Sequence, residues 1–146
     1  MNVYVDSSVL LRAVFRSSDR LPTWHRIERP IASELIRLEC LRTIDRARLQ
    51  YHLSDETISE RRAMIGEQLD GFDIIPLDHA LLERAAEPFP TLLDSLDAIH
   101  LASALVARAQ IDALRFATHD RGLAIVARAM GFEVLGVSPR SHKRRT

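Results

Sequence analysis

Apolar residues in this chain occur either as short continuous runs or as longer stretches with helical spacing. The short runs predict strands at 2–5, 31–32, 72–76, 114–118 and 132–137. The longer stretches predict a helix directly after Asp6 and five more at 33–50, 54–69, 78–86, 95–110 and 121–130. Ser33 is the predicted N-cap of the second helix. The polar connection between Pro22 and Pro30 has room for one helical turn around Trp24. This alternation predicts an α/β fold with a mainly parallel sheet covered on both faces.

Length and composition fit one globular domain. The 146 residues are 47% hydrophobic and 27% charged, and no apolar run approaches the roughly 20 residues of a membrane span. The N-terminus lacks a basic-then-apolar secretory pattern, and Cys40 as the only cysteine excludes an intrachain disulfide, so we expect a cytoplasmic protein without membrane contact. We expect one domain over 1–138, followed by a basic, mobile tail at 139–146.

The charge composition leaves the partner open. The formal net charge is zero, which does not by itself indicate a nucleic-acid partner. Lys143 is the only lysine among the 20 basic residues, and arginine suits bidentate binding of phosphate. A genome with GC-rich codons would produce the same preference for arginine.

Four acidic residues fall where predicted strands and helices meet. Asp6 ends the first strand, Asp120 follows the fourth, Asp97 lies in the first turn of its helix, and Glu39 lies nearly two turns into another. Sites in open parallel sheets gather beyond the carboxyl ends of the strands. Carboxylates brought together there disfavour one another's ionisation unless a cation lies among them. The pattern therefore predicts a divalent metal site suited to phosphodiester chemistry.

Each acid also has an explanation that involves no catalysis. Asp6 and Asp120 precede helices, where aspartate is a favoured N-cap. Asp97 would be stabilised by the dipole of its own helix. Glu39 is spaced to form an ion pair with Arg42, three residues later. Taken one at a time, none of the four proves a site.

The surroundings of two acids favour a functional site. Glu39 falls between Leu35 and Ile36 in the helical projection, inside an apolar sector, and Asp97 shares a helix face with Leu101. An acid among apolar neighbours must be paired or bound to a metal.

Four stretches carry these acids in a distinctive order and spacing, namely VYVDSSVLLR, SELIRLECLRTI, LDSLDAIHLASAL and ATHDRGLAIVARAMGFEVLGV. Together they span nearly the whole chain, and LDAIHLASAL followed about twenty residues later by T-x-D is the most specific part. The chain resembles the PIN-domain proteins, and more narrowly the VapC-type toxins of bacterial toxin–antitoxin pairs. The resemblance implies a three-layer α/β/α fold and an endoribonuclease that depends on Mg²⁺ or Mn²⁺. It also implies a homodimer that a small antitoxin protein keeps inactive.

The resemblance assigns roles to particular residues. It implies that four acids bind the metal and act in catalysis, namely Asp6, Glu39, Asp97 and Asp120, with Ser7 and Thr118 in support. RNA would be hydrolysed by a metal-activated water to leave 5′-phosphate and 3′-hydroxyl ends. Candidates for contacts to flanking RNA phosphates are Arg42, Arg46, Arg108 and Arg121. We interpret His100 as a core or helix-surface residue, and Asp94 as the cap of its helix.

Other functions compete with this interpretation. A receiver domain needs an acid pair after the first strand, and a haloacid-type phosphatase needs a second aspartate two residues after the first. Ser7 and Ser8 follow Asp6 instead, which disfavours both. A non-catalytic PIN-like RNA-binding module and a housekeeping RNA-processing nuclease remain as alternatives.

Overall fold

The computed structural model describes residues 1–138, and the predicted tail at 139–146 lies outside them. Within the described residues, five strands form one parallel sheet in the order β3–β2–β1–β4–β5. Their bounds are β1 (Asn2–Val5), β2 (Arg29–Ser33), β3 (Asp73–Ile75), β4 (Arg115–Ala117) and β5 (Val134–Leu135). The predicted α/β class is confirmed, with a sheet that is parallel at every described pairing.

Six α-helices accompany these strands in residues 1–138: α1 (Ser7–Val14), α2 (Leu35–Tyr51), α3 (Asp55–Leu69), α4 (His79–Ala86), α5 (Ser95–Arg108) and α6 (Arg121–Ala129). A single 3₁₀ turn covers Trp24–Arg26, in agreement with the turn predicted around Trp24. None of the helices in this part of the chain is long and apolar enough to cross a membrane.

The two faces of the sheet are covered by different helices. Val3 and Val5 of β1 belong to a buried cluster with residues of α1, α2 and α3. Tyr4, between them, belongs to a second cluster with residues of α5 and α6, because successive strand residues face opposite sides. The predicted three-layer α/β/α architecture is therefore confirmed.

The start of the second predicted helix was wrong. The preceding strand is longer than the predicted 31–32, and Ser33 is its last residue instead of the N-cap, but its hydroxyl still accepts from the Leu35 N–H at the start of the helix at 3.2 Å. The sequence did not predict that β2 begins at Arg29, because proline, here Pro30, usually interrupts a strand. It is tolerated as the second residue of β2 because β3 pairs only from Ile31 onward. Glu34 then occupies the N-cap of α2, without a side-chain hydrogen bond to the helix.

The strand order changes direction at β1: β2 and β3 are added on one side of this strand, and β4 and β5 on the other. Parallel neighbours lie on both sides of this strand, β2 on one and β4 on the other. Beyond its carboxyl end, the Asp6 N–H donates to the Ala117 carbonyl oxygen at 3.1 Å. A crevice between diverging crossover connections opens at such a position, and it is here that the acids of the sequence pattern gather.

Candidate active site

Asp6 lies at the junction of β1 and α1, with its carboxylate almost fully buried. The residue is 4% exposed. Its Oδ1 accepts hydrogen bonds from the Val9 N–H (3.2 Å) and the Ser8 hydroxyl (2.5 Å), and its Oδ2 accepts one from the Thr118 hydroxyl (2.5 Å). The predicted N-cap role is therefore confirmed. Three donors hold the carboxylate in one orientation and offset the cost of burying it.

Thr118 joins the first acid to the last. Its Oγ1 donates to Asp6 and accepts from the Asp120 N–H at 2.9 Å. The Asp120 Oδ1 in turn accepts from the Leu123 N–H at 2.8 Å, so this acid caps α6 as Asp6 caps α1. The threonine is fully buried. One hydroxyl therefore fixes the separation of the two chain segments that follow β1 and β4.

Asp97 lies in the first turn of α5, half-buried, and its charge is unfavourable there. Burial, followed by the negative charge of Asp120, raises the pKa of Asp97 from 3.8 to about 6. The charges of Asp6 and Asp94 act in the same direction, while His100 opposes them. The Asp97 carboxylate therefore shares one electrostatic environment with both of the capping acids.

Asp94 does not behave as the sequence indicates. It occupies the N-cap position of α5, but its side chain makes no capping hydrogen bond to the helix. The carboxylate is exposed at the same end of the helix as Asp97. Its negative charge therefore contributes to the raised pKa of Asp97.

Glu39 extends from the second turn of α2, and its partner differs from the predicted one. Its Oε1 lies 2.5 Å from the His100 Nε2, and its side chain is 19% exposed. Arg42 pairs with Asp45 at 3.0 Å instead. The ion pair between Glu39 and Arg42, which the spacing allowed, is therefore absent among the described residues.

His100 is a core residue, as the sequence interpretation allowed, but the sequence did not predict its contact with a candidate site acid. The side chain is 2% exposed and contacts Glu39 through Nε2 and the Tyr4 hydroxyl through Nδ1, at 2.9 Å. Burial alone would lower the pKa of His100, but the contacts with Tyr4 and Glu39 outweigh it and raise the pKa to about 10. The available signal was its position three residues after Asp97, on the same side of the helix.

A groove of about 490 Å³ opens beside these acids. It is lined by side chains of α1, α2 and α5 that include Ser7, Glu39, Arg42, Arg46 and Leu96. The Arg46 guanidinium also donates to the Thr43 hydroxyl at 3.0 Å. Two of the predicted phosphate-binding arginines and one predicted supporting hydroxyl therefore share a surface with Glu39.

The other two candidate arginines lie in different settings. Arg121 is exposed in the first turn of α6, next to Asp120. Arg108 lies three turns along α5 from Asp97, about 16 Å away at 1.5 Å per residue. Its guanidinium donates to the Met130 carbonyl oxygen (2.7 Å) and lies 4.3 Å from the Phe132 ring centroid. The structure does not bring Arg108 together with the acids.

The acids provide the donor chemistry for a hard divalent cation. Within residues 1–138, no three side chains of His, Cys, Asp and Glu lie close enough together to enclose a metal ion unaided. Mg²⁺ does not require such a cage, because it keeps several waters and binds proteins through one or two carboxylates. A cation near Asp97 would also relieve the repulsion that raises its pKa. The residues present therefore fit Mg²⁺ or Mn²⁺.

Comparison with known proteins gives the family. The family model described as PIN domain matches residues 3–129. Ribonuclease VapC46 of Mycobacterium tuberculosis is 32% identical over 140 residues, which cover 93% of this chain and 98% of the relative. The chain belongs to the VapC branch of the PIN-domain family. Ribonuclease VapC47 of the same species is 33% identical to this PIN domain over 137 residues, covering 89% of the chain and 93% of the relative.

Solved structures show the same fold at low sequence identity. VapBC2 of Rickettsia felis, bound to a DNA fragment from its promoter, has a TM-score of 0.66 at 10% identity, and the match covers 92% of this chain and 99% of the solved chain. A toxin–antitoxin complex of Klebsiella pneumoniae has a TM-score of 0.62 at 17% identity, with 94% and 97% covered. VapC20 of M. tuberculosis, a toxin that cleaves the sarcin–ricin loop, has a TM-score of 0.60 at 15% identity, with 94% and 100% covered.

Proposed function

We propose that this PIN domain is a Mg²⁺- or Mn²⁺-dependent endoribonuclease and the toxin of a toxin–antitoxin pair. The observation that supports this most directly is the shared electrostatic environment of three acids from separate parts of the chain. Asp6 and Asp120 are joined through Thr118, and Asp97 responds to the charge of both. The curated relatives of the chain are named ribonucleases, which favours RNA as the substrate.

The proposed cation would be held by Asp6, Asp97 and Asp120, one or two of them directly and the rest through waters that it keeps, with Glu39 completing the site directly or through water. When bound, it would lower the pKa of a water and offset the charge that develops on the phosphate. Asp97 must lose its proton to bind a cation, so we expect affinity to decrease as the pH falls below about 6. Ser8 and Thr118 keep Asp6 oriented throughout.

The arginines beside the acids would bind the RNA backbone. Arg42 and Arg46 line the groove that contains Glu39, and Arg121 follows Asp120 directly. Guanidinium groups bind phosphate in a bidentate manner. We propose these three, and not Arg108, as contacts to phosphates that flank the scissile bond.

The partners belong to the same proposal. Two of the structural neighbours are described as toxin–antitoxin assemblies. We propose that a small antitoxin protein binds this chain, and that the chain forms a homodimer in the cytoplasm. A short neighbouring reading frame that encodes such a protein would support this role, and its co-expression with this chain should then yield a complex whose mass in solution gives the stoichiometry.

The experiment for the activity compares Asp6→Asn with wild type on total RNA in Mg²⁺, in Mn²⁺ and in EDTA. We expect the variant to lose more than about 100-fold in cleavage rate, because it removes a proposed metal ligand. Asp70→Asn is the matched control, because Asp70 is an exposed carboxylate at the carboxyl end of α3, before β3 begins. Wild-type cleavage in EDTA, or an Asp6→Asn variant as active as Asp70→Asn, would refute the metal site. RNA cleavage without growth arrest on induced expression would favour an RNA-processing role over that of a toxin.

A further inference from the structure

We propose that His100 is a positioning residue that holds the Glu39 carboxylate in place for the cation. The inference rests on the proposed function, because it assumes that Glu39 contributes to the metal site. Metal-assisted hydrolysis does not itself require a histidine, so the role proposed for His100 is additional to the chemistry of the metal site.

The contact between His100 and Glu39 connects the two helical layers of the domain. Glu39 belongs to α2, which packs on one face of the sheet, and His100 belongs to α5, which packs on the other. Their 2.5 Å contact joins residues 61 positions apart in the chain. Because a carboxylate only accepts hydrogen bonds, the His100 Nε2 must carry the proton that it donates. This donation holds whether or not the second ring nitrogen is protonated.

The imidazole is itself held from the opposite side. Its Nδ1 lies 2.9 Å from the Tyr4 hydroxyl, and that hydroxyl accepts from the Ser33 N–H at 3.3 Å. The Tyr4 ring stacks on Phe116, with centroids 5.2 Å apart and planes 19° apart. A chain of polar contacts therefore runs from the end of β2, through β1, to the acid on α2. Because these contacts hold the imidazole ring in place, the ring in turn fixes the position of the Glu39 carboxylate relative to the edge of the sheet.

Glu39 needs such support because it borders open space. Its side chain lines the groove described above and is partly exposed. Glutamate has three rotatable side-chain bonds, whose freedom must be lost when it binds a cation. The hydrogen bond to Oε1 restricts that freedom beforehand and leaves Oε2 for the cation or for a water bound to it. Groups that orient metal-binding residues in this way typically contribute 10- to 100-fold in metal affinity.

The test compares two substitutions, each of which retains a hydrogen-bonding nitrogen near the position of a different ring nitrogen of His100. The amide nitrogen of His100→Gln can reach the place of Nε2 and donate to Glu39, whereas that of His100→Asn lies nearer the place of Nδ1. We expect His100→Asn to weaken Mn²⁺ binding, measured by calorimetry, by about 10- to 100-fold, and His100→Gln to recover most of this loss. Both variants are uncharged, so the comparison is independent of ring protonation. If both lose affinity equally, in proportion to their loss of thermal stability, His100 serves only packing and the inference is overturned.

A measurement on the unmodified protein covers the case in which the variants fail to fold. In ¹⁵N-labelled wild type, the His100 Nε2–H should give a slowly exchanging NMR resonance that shifts when Mg²⁺ is added. His79, which is 89% exposed on α4, should show no shift and serves as the control. An unprotonated Nε2, or a resonance that Mg²⁺ leaves unchanged, would overturn the inference.

The same titrations separate this inference from the proposed function. If wild type binds no Mn²⁺, the metal site and the role of His100 both fail. If Glu39→Gln weakens binding while His100→Asn binds as tightly as wild type, the metal site stands and only the positioning role is lost. Weakened binding in both, with recovery in His100→Gln, supports both.

Discussion

Asp97→Asn should stabilise the metal-free protein while it abolishes RNA cleavage. The pKa of Asp97 is raised from 3.8 to about 6 by burial and by the charge of Asp120, so its ionised form is unfavourable in the folded state. Roughly two pKa units at 1.36 kcal/mol each set an upper limit of about 3 kcal/mol. Because the side chain is only half-buried, solvent screening reduces the expected gain in unfolding free energy to about 1–2 kcal/mol.

The pH dependence of this gain has a definite sign. In the unfolded chain the carboxyl group titrates near pH 4, and in the folded protein near pH 6. Between these values the folded state binds more protons, so the contribution of Asp97 to stability is full below about pH 4 and is lost as the pH rises through about 6. The asparagine variant lacks this titration. The difference in unfolding free energy between variant and wild type should therefore be smallest near pH 4 and reach its full value above about pH 7.

Urea denaturation in EDTA across this pH range is the appropriate assay, with Asp70→Asn as the control for loss of a distant carboxylate. Saturating Mg²⁺ should then make wild type more stable than Asp97→Asn, because only a protein that binds the ion is stabilised by it. An Asp97→Asn variant that is less stable than wild type in EDTA above pH 7 would refute the reasoning. So would a stability difference that does not change with pH.

Two further substitutions, each with a control variant, test the contacts around Thr118. Thr118→Val removes the buried hydroxyl that contacts Asp6 and the Asp120 N–H, so we expect a loss of about 2–3 kcal/mol in unfolding free energy together with a loss of RNA cleavage. Thr118→Ser keeps the hydroxyl and should retain most of the stability and most of the cleavage. Equal behaviour of the two variants would contradict the role of the hydroxyl. Gly136→Ala would place a Cβ 2.3 Å from the Thr118 carbonyl oxygen at a φ of +96°, so urea denaturation should show a loss of more than about 2 kcal/mol. Gly71→Ala, whose Cβ meets nothing closer than 3.6 Å, should change stability by less than about 0.5 kcal/mol, and equal stability of the two alanine variants would contradict this prediction.

The local parts of the site could be predicted from the sequence, and the long-range parts could not. Asp6 and Asp120 were identified as N-caps because capping depends on residues three positions apart. The partner of Glu39 depends instead on which helix crosses the sheet edge beside α2. That is decided by the strand order, which places the crossover to α5 next to β2. Helical periodicity placed Glu39 in an apolar sector but contained no information about His100.

Competition between neighbouring partners explains the other differences. Arg42 has Glu39 and Asp45 within one turn on either side, and spacing alone favours neither. The choice follows from burial, because Arg42 and Asp45 are both about half exposed while Glu39 turns inward to a buried histidine. Likewise, Arg108 at the far end of α5 can contact both a carbonyl oxygen and an aromatic ring of the segment after α6.

The capping and catalytic explanations of the acids turn out to be compatible. Asp6 and Asp120 each use Oδ1 to cap a helix, and the amides that they accept from are also the positive end of that helix's dipole. Helix starts therefore allow two carboxylates to face one crevice at a reduced electrostatic cost. Asp97 lies in the first turn of α5 instead of at its cap, and burial together with the charges of Asp120 and Asp6 raises its pKa. The negative charge of Asp97 is therefore unfavourable in the absence of a cation, and a cation bound beside it would neutralise that charge.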